Sequence, residues 1–341
     1  MSEAELKQNL AHISESVQPI IDELLSKDVE SKNIDVMLYQ CGVGGKRIRP
    51  AMVILSGQIF NANFDDMLYP AASIEILHNA TLIIDDIIDH SEFRRDQPTC
   101  WSKYGTSIAQ CASFTYISSV FSGLANANNG SKLIDLYSKT LKIIVDGEIK
   151  DIVFERSGRE DENYVVKNRY QTITKDDYFE MIGQKTAVLL RTCCQAGAIC
   201  ADATEEQVEL IGDFGFNLGM AFQIRDDVLD IFGDEKEIGK KVGKDIIEKK
   251  MGNFIVLTAI DLLSQPDRDT VVNFLEGDKE ISDQDAANIT DLIDKTDARN
   301  IAETTANSFI TKAFESLEKL PQNEYKNQLS DIANYIVSRK K

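Results

Sequence analysis

Apolar positions recur every three to four residues along almost the whole chain, as in "SKLIDLYSKTLKIIVDGEIKDIV" and "EEQVELIGDFGFNLGMAFQIRDDVLDIF", and this period predicts amphipathic helices. No proline interrupts the sequence between Pro98 and Pro266, so nothing in that span forbids continuous helix. Period-two alternation with hairpin turns is missing, and the predicted fold class is all-α. Glycine, proline and polar clusters mark breaks at Cys41 to Pro50, Phe60 to Asp66, Ser91 to Thr99, Asn126 to Ser131, the run "RSGREDENYVVKNRY", and Phe232 to Asp245. None is long or biased enough to be an interdomain linker, and no fixed-period repeat appears. One domain over residues 1–341 is expected.

Composition narrows the function. With 43% hydrophobic and 27% charged residues the chain can bury a sizeable core without metals or disulfides. A net charge of -19 repels nucleic acid and anionic membrane surfaces, so neither is an expected partner, and an anionic ligand must be met by a local basic cluster. The six cysteines form no Cys-x-x-Cys pair and no zinc spacing, which suits reduced, buried thiols. The N-terminal "MSEAELKQNLAHISESV" is acidic and unlike a signal peptide, and no apolar run approaches the roughly 20 residues of a membrane span. A cytoplasmic protein is expected.

One short pattern occurs twice. Asp85, Asp86 and Asp89 stand in "DDIID", and Asp226, Asp227 and Asp230 in "DDVLD", each among Ile, Val and Leu. On a helix the first and last aspartates are one turn apart, and like charges at that spacing cost about 0.2–0.5 kcal/mol per pair before desolvation is counted. Paired hard oxygen ligands with room for water suit Mg²⁺, which binds one or two carboxylates together with substrate phosphates. A merely solvated acidic face would not be bordered by core residues on both sides. Upstream residues follow the same stripes, His78 and Leu82 before the first motif and Gln223 before the second. Basic residues gather beside turns: Lys46, Arg47 and Arg49 in "GGKRIRP", Arg94 and Arg95, Lys185 in "GQKTAVL", then Lys240, Lys244 and Lys250. Arginine forks and lysine point charges are the usual means of holding phosphate, and Gly44 and Gly45 let the backbone approach closely.

The ordered series "GGKRIRP", "EILHNATLIIDDIIDHSEFRR" with "PT" soon after, "KTAVL", "FQIRDDVLD" and "GKKVGKDIIEKK" resembles the motifs of the trans-isoprenyl diphosphate synthases, over about Gly44 to Lys250. The resemblance implies a single bundle of mostly antiparallel helices around a deep central cavity, paired as a homodimer, with the aspartate motifs facing each other at the cavity mouth. It implies a prenyltransferase that condenses an allylic diphosphate with isopentenyl diphosphate. Asp85, Asp89 and Asp226, supported by Asp86, Asp227 and Asp230, would bind a cluster of roughly three Mg²⁺ on the allylic diphosphate. Arg94, Lys185 and Lys240 would contact that diphosphate, with Thr186 and Gln223 near the reacting end and Lys250 closing over it. Lys46, Arg49, His78 and Arg95 would form a separate, metal-free pocket for isopentenyl diphosphate.

In the family the residues four and five before the first motif line the wall beneath the growing tail. Thr81 and Ala80 are small there, which argues against a farnesyl or geranylgeranyl product and for a medium or long all-trans chain. Phe121, with Phe114 and Tyr116, offers a floor further down. Three departures stand out: Ser113 and Phe114 replace a Gly-Asp pair, Glu148 replaces glutamine after Gly147 with Asp151 retained, and Phe254 replaces a proline. They leave open a catalytic subunit that needs a small unrelated partner. A class I terpene cyclase would have no use for the second diphosphate pocket, and a noncatalytic regulatory chain would not need all six aspartates.

Overall fold

A computed structural model describes residues 3–156, 158–233, 243–277 and 281–338. They are helical almost throughout, as the periodicity predicts. Among the described residues the strand content is one short hairpin, Phe93–Arg94 paired antiparallel with Gln97–Pro98. By their internal contacts the residues fall into two compact units. The first comprises Met1–Ser138, Thr192–Gly212 and Leu317–Ile332, the second Lys139–Arg191, Asp213–Ser316 and Ala333–Lys341.

In the first unit the Leu68–Ile88 helix is central. It is apolar on nearly every side, and Pro70 sits in its first turn, where no backbone N–H is needed. A helix of that composition belongs in a core, and Ala71, Ile74, Leu77 and Ile83 are buried. It packs most extensively on the Thr106–Leu124 helix, then on Ile48–Ile59 and Glu3–Ser26. Buried hydroxyls find backbone acceptors: Tyr116 donates to the Met37 carbonyl at 2.6 Å, Ser119 to Leu24 at 2.9 Å and Tyr137 to Pro70 at 2.9 Å. The segment Asp65–Ile88 is also long and apolar enough to cross a membrane by length and composition, contrary to the sequence expectation that no run would qualify. Some 67% of its apolar window is buried within the fold, which accounts for that composition by core packing.

The second unit is built around Phe154, Tyr178, Met181, Ile224, Ile231, Phe254 and Ile289. Its helices start on well-formed caps. Thr174 and Asp177 make a capping box before Lys175–Ile182, Ser282 and Asp285 another before Asp283–Asp294, and the Asn253 side chain accepts from the Ile255 and Val256 amides. Each such cap contributes about 1 kcal/mol.

Five of the six cysteines are buried and Cys111 is exposed, so the expectation of buried thiols fails at one position. Burial pushes the thiols of Cys41, Cys194 and Cys200 up to about 12 and that of Cys100 to about 11.

Close helix contact depends on glycine at one crossing in particular. A Cβ on Gly197 would lie 2.1 Å from the Val53 carbonyl oxygen and 2.6 Å from the Gly57 nitrogen. Gly197→Ala should therefore lower unfolding stability by about 2–3 kcal/mol. Gly42→Ala, where a Cβ would meet nothing within 4 Å, serves as the neutral control in denaturant titrations.

Candidate active site

In the first unit the Leu68–Ile88 helix ends within the first aspartate motif. Asp86 is 1% exposed, and its carboxylate receives the Arg94 guanidinium, Nε at 2.9 and 3.1 Å and Nη2 at 2.8 Å. Asp85 and Asp89 keep partial exposure. The sequence reading grouped all three as metal ligands with Arg94 on the substrate. The structure instead turns Asp86 inward onto Arg94 and leaves the first and last aspartates toward solvent.

Arg94 is delivered by the hairpin. Its two loop residues, Arg95 and Asp96, both have positive φ, 53° and 59°, the geometry of a two-residue type I′ turn that ordinarily takes Asn-Gly. Holding two non-glycine residues there costs about 1 kcal/mol or more each. Anchors on either side oppose that strain: Thr99 and Trp101 donate to the Ser91 carbonyl at 2.8 and 2.9 Å, and Tyr39 to Pro98 at 2.6 Å. The turn sends the Arg95 guanidinium to the Gly44 carbonyl. A Cβ on Gly45 would lie 2.9 Å from Arg95 Nη1, so that glycine makes room for the arginine.

The "GGKRIRP" loop is pinned by its middle arginine. Arg47 has φ 49° and is 4% exposed; it donates to Glu75 at 2.5 Å, and to Gln18 and the Cys41 carbonyl at 2.7 Å each. Arg47 is thus an anchor, not the anion contact that its neighbours suggested, and Lys46 and Arg49 flank it. His78 lies among Arg49, Arg95, Arg94 and Arg47; burial first, then these guanidiniums, hold its imidazole well below the ordinary histidine range. Of the residues assigned in the sequence to the metal-free diphosphate pocket, Arg49 and Arg95 act electrostatically on this histidine.

The second unit holds the second motif on the Glu205–Phe232 helix. Asp227 is 5% exposed and accepts from the Tyr178 hydroxyl at 2.8 Å, the Phe254 backbone N–H at 2.8 Å and the Gln223 amide at 3.2 Å. Thr186 donates to Gln223 at 3.0 Å, continuing the chain of hydrogen bonds. The middle aspartate is again turned inward, and Asp226 and Asp230 are the more open positions. Burial, and then Asp245, push the Asp227 carboxyl well above its usual range and Asp230 up to about 7.

Lys185 and Thr186 sit in a π-helical turn, Gly183–Ala187, a wide turn often found at functional sites. Lys185 pairs with Glu148 and Asp151 at 2.6 Å each. Burial alone would raise the Asp151 carboxyl, but Lys185 and Lys250 outweigh it and hold it below the usual range. A cavity of about 150 Å³ is lined by Asp151, Lys185, Thr186, Gln223, Asp227 and Asp245, with Lys250 at its wall.

Sequence reasoning missed three residues here: Asp245, Tyr178 and Asn253. Asn253 donates to Asp245 at 2.9 Å, and the Asp245 amide donates to Asp230 at 3.1 Å. An asparagine directly before "FIVLTA" is a helix-start signal that could have been read. Of the remaining predicted residues, Ala80 is 1% exposed and its carbonyl accepts from Ser113 at 3.3 Å, whereas Thr81 and Phe121 are partly exposed. Lys240 lies outside the described residues.

The donor set fits Mg²⁺ in chemistry: every ligand offered is a hard carboxylate, and burial with mutual repulsion raises the carboxyls of Asp227, Asp230 and Asp245, a cost that a bound cation would relieve. Among the described residues no group of three or more His, Cys, Asp or Glu closes on one point by itself. Such open sites suit an ion that arrives with phosphate and water.

The polyprenyl synthetase family model matches residues 32–293, and the chain belongs to that family. It is 33% identical to a geranylgeranyl diphosphate synthase of Sulfolobus acidocaldarius over 90% of each chain. It is 31% identical to a heptaprenyl diphosphate synthase component 2 of Bacillus subtilis, over 89% of this chain and 81% of that one. A solved polyprenyl synthase from Caulobacter crescentus, complexed with calcium and isoprenyl diphosphate, superposes with a TM-score of 0.87 at 25% identity, covering 100% of this chain and 98% of that chain. The fold is the all-α isoprenoid synthase fold, and the protein is a prenyltransferase.

His78 carries a pH signature. Its folded pKa lies below the roughly 6.5 of an unfolded histidine. The unfolded chain therefore takes up a proton as pH falls through about 6.5 while the folded chain does not, and this contribution to stability, complete above that pH, declines below it. His78→Gln should flatten the dependence of unfolding free energy on pH between about 6.5 and 5, measured by denaturant titration.

Proposed function

We propose that this prenyltransferase joins an allylic diphosphate to isopentenyl diphosphate repeatedly and releases a medium or long all-trans polyprenyl diphosphate. The observation that carries the reading is the influence of Arg49 and Arg95 on a buried His78 held neutral, a set of groups suited to a diphosphate without metal. Lys46 and Arg49 hold the isopentenyl diphosphate there, with His78 and Arg95 as its other contacts. Asp85 and Asp89, and Asp226 with Asp230, would hold Mg²⁺, which when bound neutralises the departing pyrophosphate. Asp86 and Asp227 orient those ligands from behind. Lys185 meets the allylic diphosphate, Lys250 and Lys240 add charge, and Thr186 and Gln223 stand near the reacting carbon. The apolar helix faces exclude water from the allylic cation. The alkene, fixed by its own anion pocket, needs only to be held in line for attack.

The product length follows from small residues at Ala80 and Thr81, with Phe121 as floor. A homodimer is part of the reading, and Phe114, 78% exposed on the Thr106–Leu124 helix, is suited to such a contact. The similarity to a heptaprenyl synthase component favours one second reading, a catalytic subunit that needs a partner chain. No membrane span is needed, and a cytoplasmic site of action accords with that.

The test is incubation of the pure protein with Mg²⁺, farnesyl diphosphate and labelled isopentenyl diphosphate, followed by product chromatography. Products longer than geranylgeranyl are expected; arrest at geranylgeranyl overturns the length, and no turnover until a second polypeptide is added establishes the partner-dependent reading. Asp85→Ala and Asp226→Ala should each lower kcat by about a hundredfold or more. Because Ala80 is buried, Thr81→Phe is the cleaner probe of length and should shorten the product.

A further inference from the structure

Glu148 and Asp151 are one turn apart on the Gly130–Phe154 helix, so their carboxylates share a face. Both reach Lys185 Nζ at 2.6 Å. The proximity is enforced by Gly147, where a Cβ would lie 2.6 Å from the Lys185 nitrogen and 2.8 Å from Gln184 Cβ; the helix is pressed directly against the π turn. Neither acid is freely solvated, with side-chain exposures of 13% for Glu148 and 20% for Asp151, so water does little to screen either from the ammonium.

An ammonium has three N–H donors and one charge. Asp151 also feels Lys250, so this second cation takes part of its charge. Lys185 with Glu148 and Asp151 sums to -1, and Lys250 brings the four groups to neutrality, so an incoming diphosphate meets lysines whose charge the two acids already offset.

We infer that Glu148 restrains the grip of Lys185 on diphosphate, setting the affinity of the allylic site and easing pyrophosphate release between successive additions. The inference rests on the assignment of Lys185 to the allylic diphosphate. Glu148 touches no substrate; it acts through Lys185 and is a positioning and affinity-setting residue. A chain-elongating enzyme must discharge pyrophosphate after every condensation, and a lysine already engaged by two acids lets it go faster than one that is not.

Removing the single negative charge that Glu148 places on Lys185 is worth roughly a tenfold change in affinity for a partly screened site. Glu148→Gln should therefore lower the KM for farnesyl diphosphate and the inhibition constant of pyrophosphate by the same factor, roughly ten. It should leave the KM for isopentenyl diphosphate unchanged and should not raise kcat. Glu148→Asp, which retains the charge, should stay near the parent. Calorimetric titration of pyrophosphate with Mg²⁺ reads the affinity without turnover. Should Glu148→Gln fail to fold, Glu148→Ala makes the same prediction, with folding checked by thermal melting. Loss of activity without tighter diphosphate binding, or equal effects of Gln and Asp, would overturn the inference in favour of a shape requirement. Lys185→Met separates the two layers. If it leaves pyrophosphate binding as in the parent, the assignment of Lys185 falls and the inference with it. If it weakens binding while Glu148→Gln does not tighten it, the assignment stands and the role of Glu148 alone is refuted.

Discussion

A carboxylate withdrawn from water must be met by a counter-charge or by several donors, and this requirement, imposed at Asp86 and again at Asp227, orients both aspartate motifs. A helix turns by about 100° per residue, so fixing the middle aspartate inward fixes the first and last on a shared, more open bearing. The two units meet the requirement differently. Asp86 receives a guanidinium, which cancels its charge. Asp227 receives three neutral donors, yet burial and the neighbouring Asp245 still push its carboxyl well above the usual range. The second motif is therefore a cluster of crowded carboxyls whose ionised form a divalent cation would favour.

Around His78, Arg47 and Arg94 are matched by Glu75 and Asp86, and Arg49 and Arg95 add positive charge. Arginines repel one another, and here they are kept close by backbone that is itself costly: a left-handed Arg47 tied to Glu75, and a turn in which Arg95 and Asp96 both take positive φ. On the proposed reading, the division of labour between substrates would follow from these two environments. A cationic pocket can receive a bare diphosphate, and a carboxylate cluster can receive only a diphosphate that brings divalent cations with it.

Much of this was legible in the sequence, and the parts that were not have identifiable causes. The helices, the two motifs and the basic loops are local patterns, and periodicity exposes them. The inward turn of Asp86 depends on an arginine eight residues later, across a hairpin whose strands are two residues long, too short for alternation to register. Arg47 looked like its neighbours Lys46 and Arg49 because composition cannot report that one residue of three adopts a left-handed conformation. The two compact units were invisible for a different reason. Their limits at Ser138, Arg191 and Gly212 fall inside the helices Gly130–Phe154, Val188–Cys200 and Glu205–Phe232, where no linker composition can mark them.

The departures from the family pattern turn out to have local physical content. Proline at position 254 would have no N–H, yet the Phe254 N–H is one of the donors that hold Asp227 at 2.8 Å. Asn253 beside it caps the Phe254–Leu262 helix and steadies Asp245 at once, so the pair Asn253 and Phe254 supplies two restraints on the acidic cluster through groups that a proline-bearing segment would satisfy otherwise. Ser113, in place of glycine, gives its hydroxyl to the Ala80 carbonyl and ties the Leu68–Ile88 helix to the Thr106–Leu124 helix. Glu148 brings a full negative charge onto Lys185. Each change adds a polar restraint beside the chemistry while the outer aspartates stay in place. Substitutions that merely repacked a core would have fallen on apolar contacts; these fall on donors, acceptors and charges, which is where binding strength and release rate can shift without the fold being disturbed.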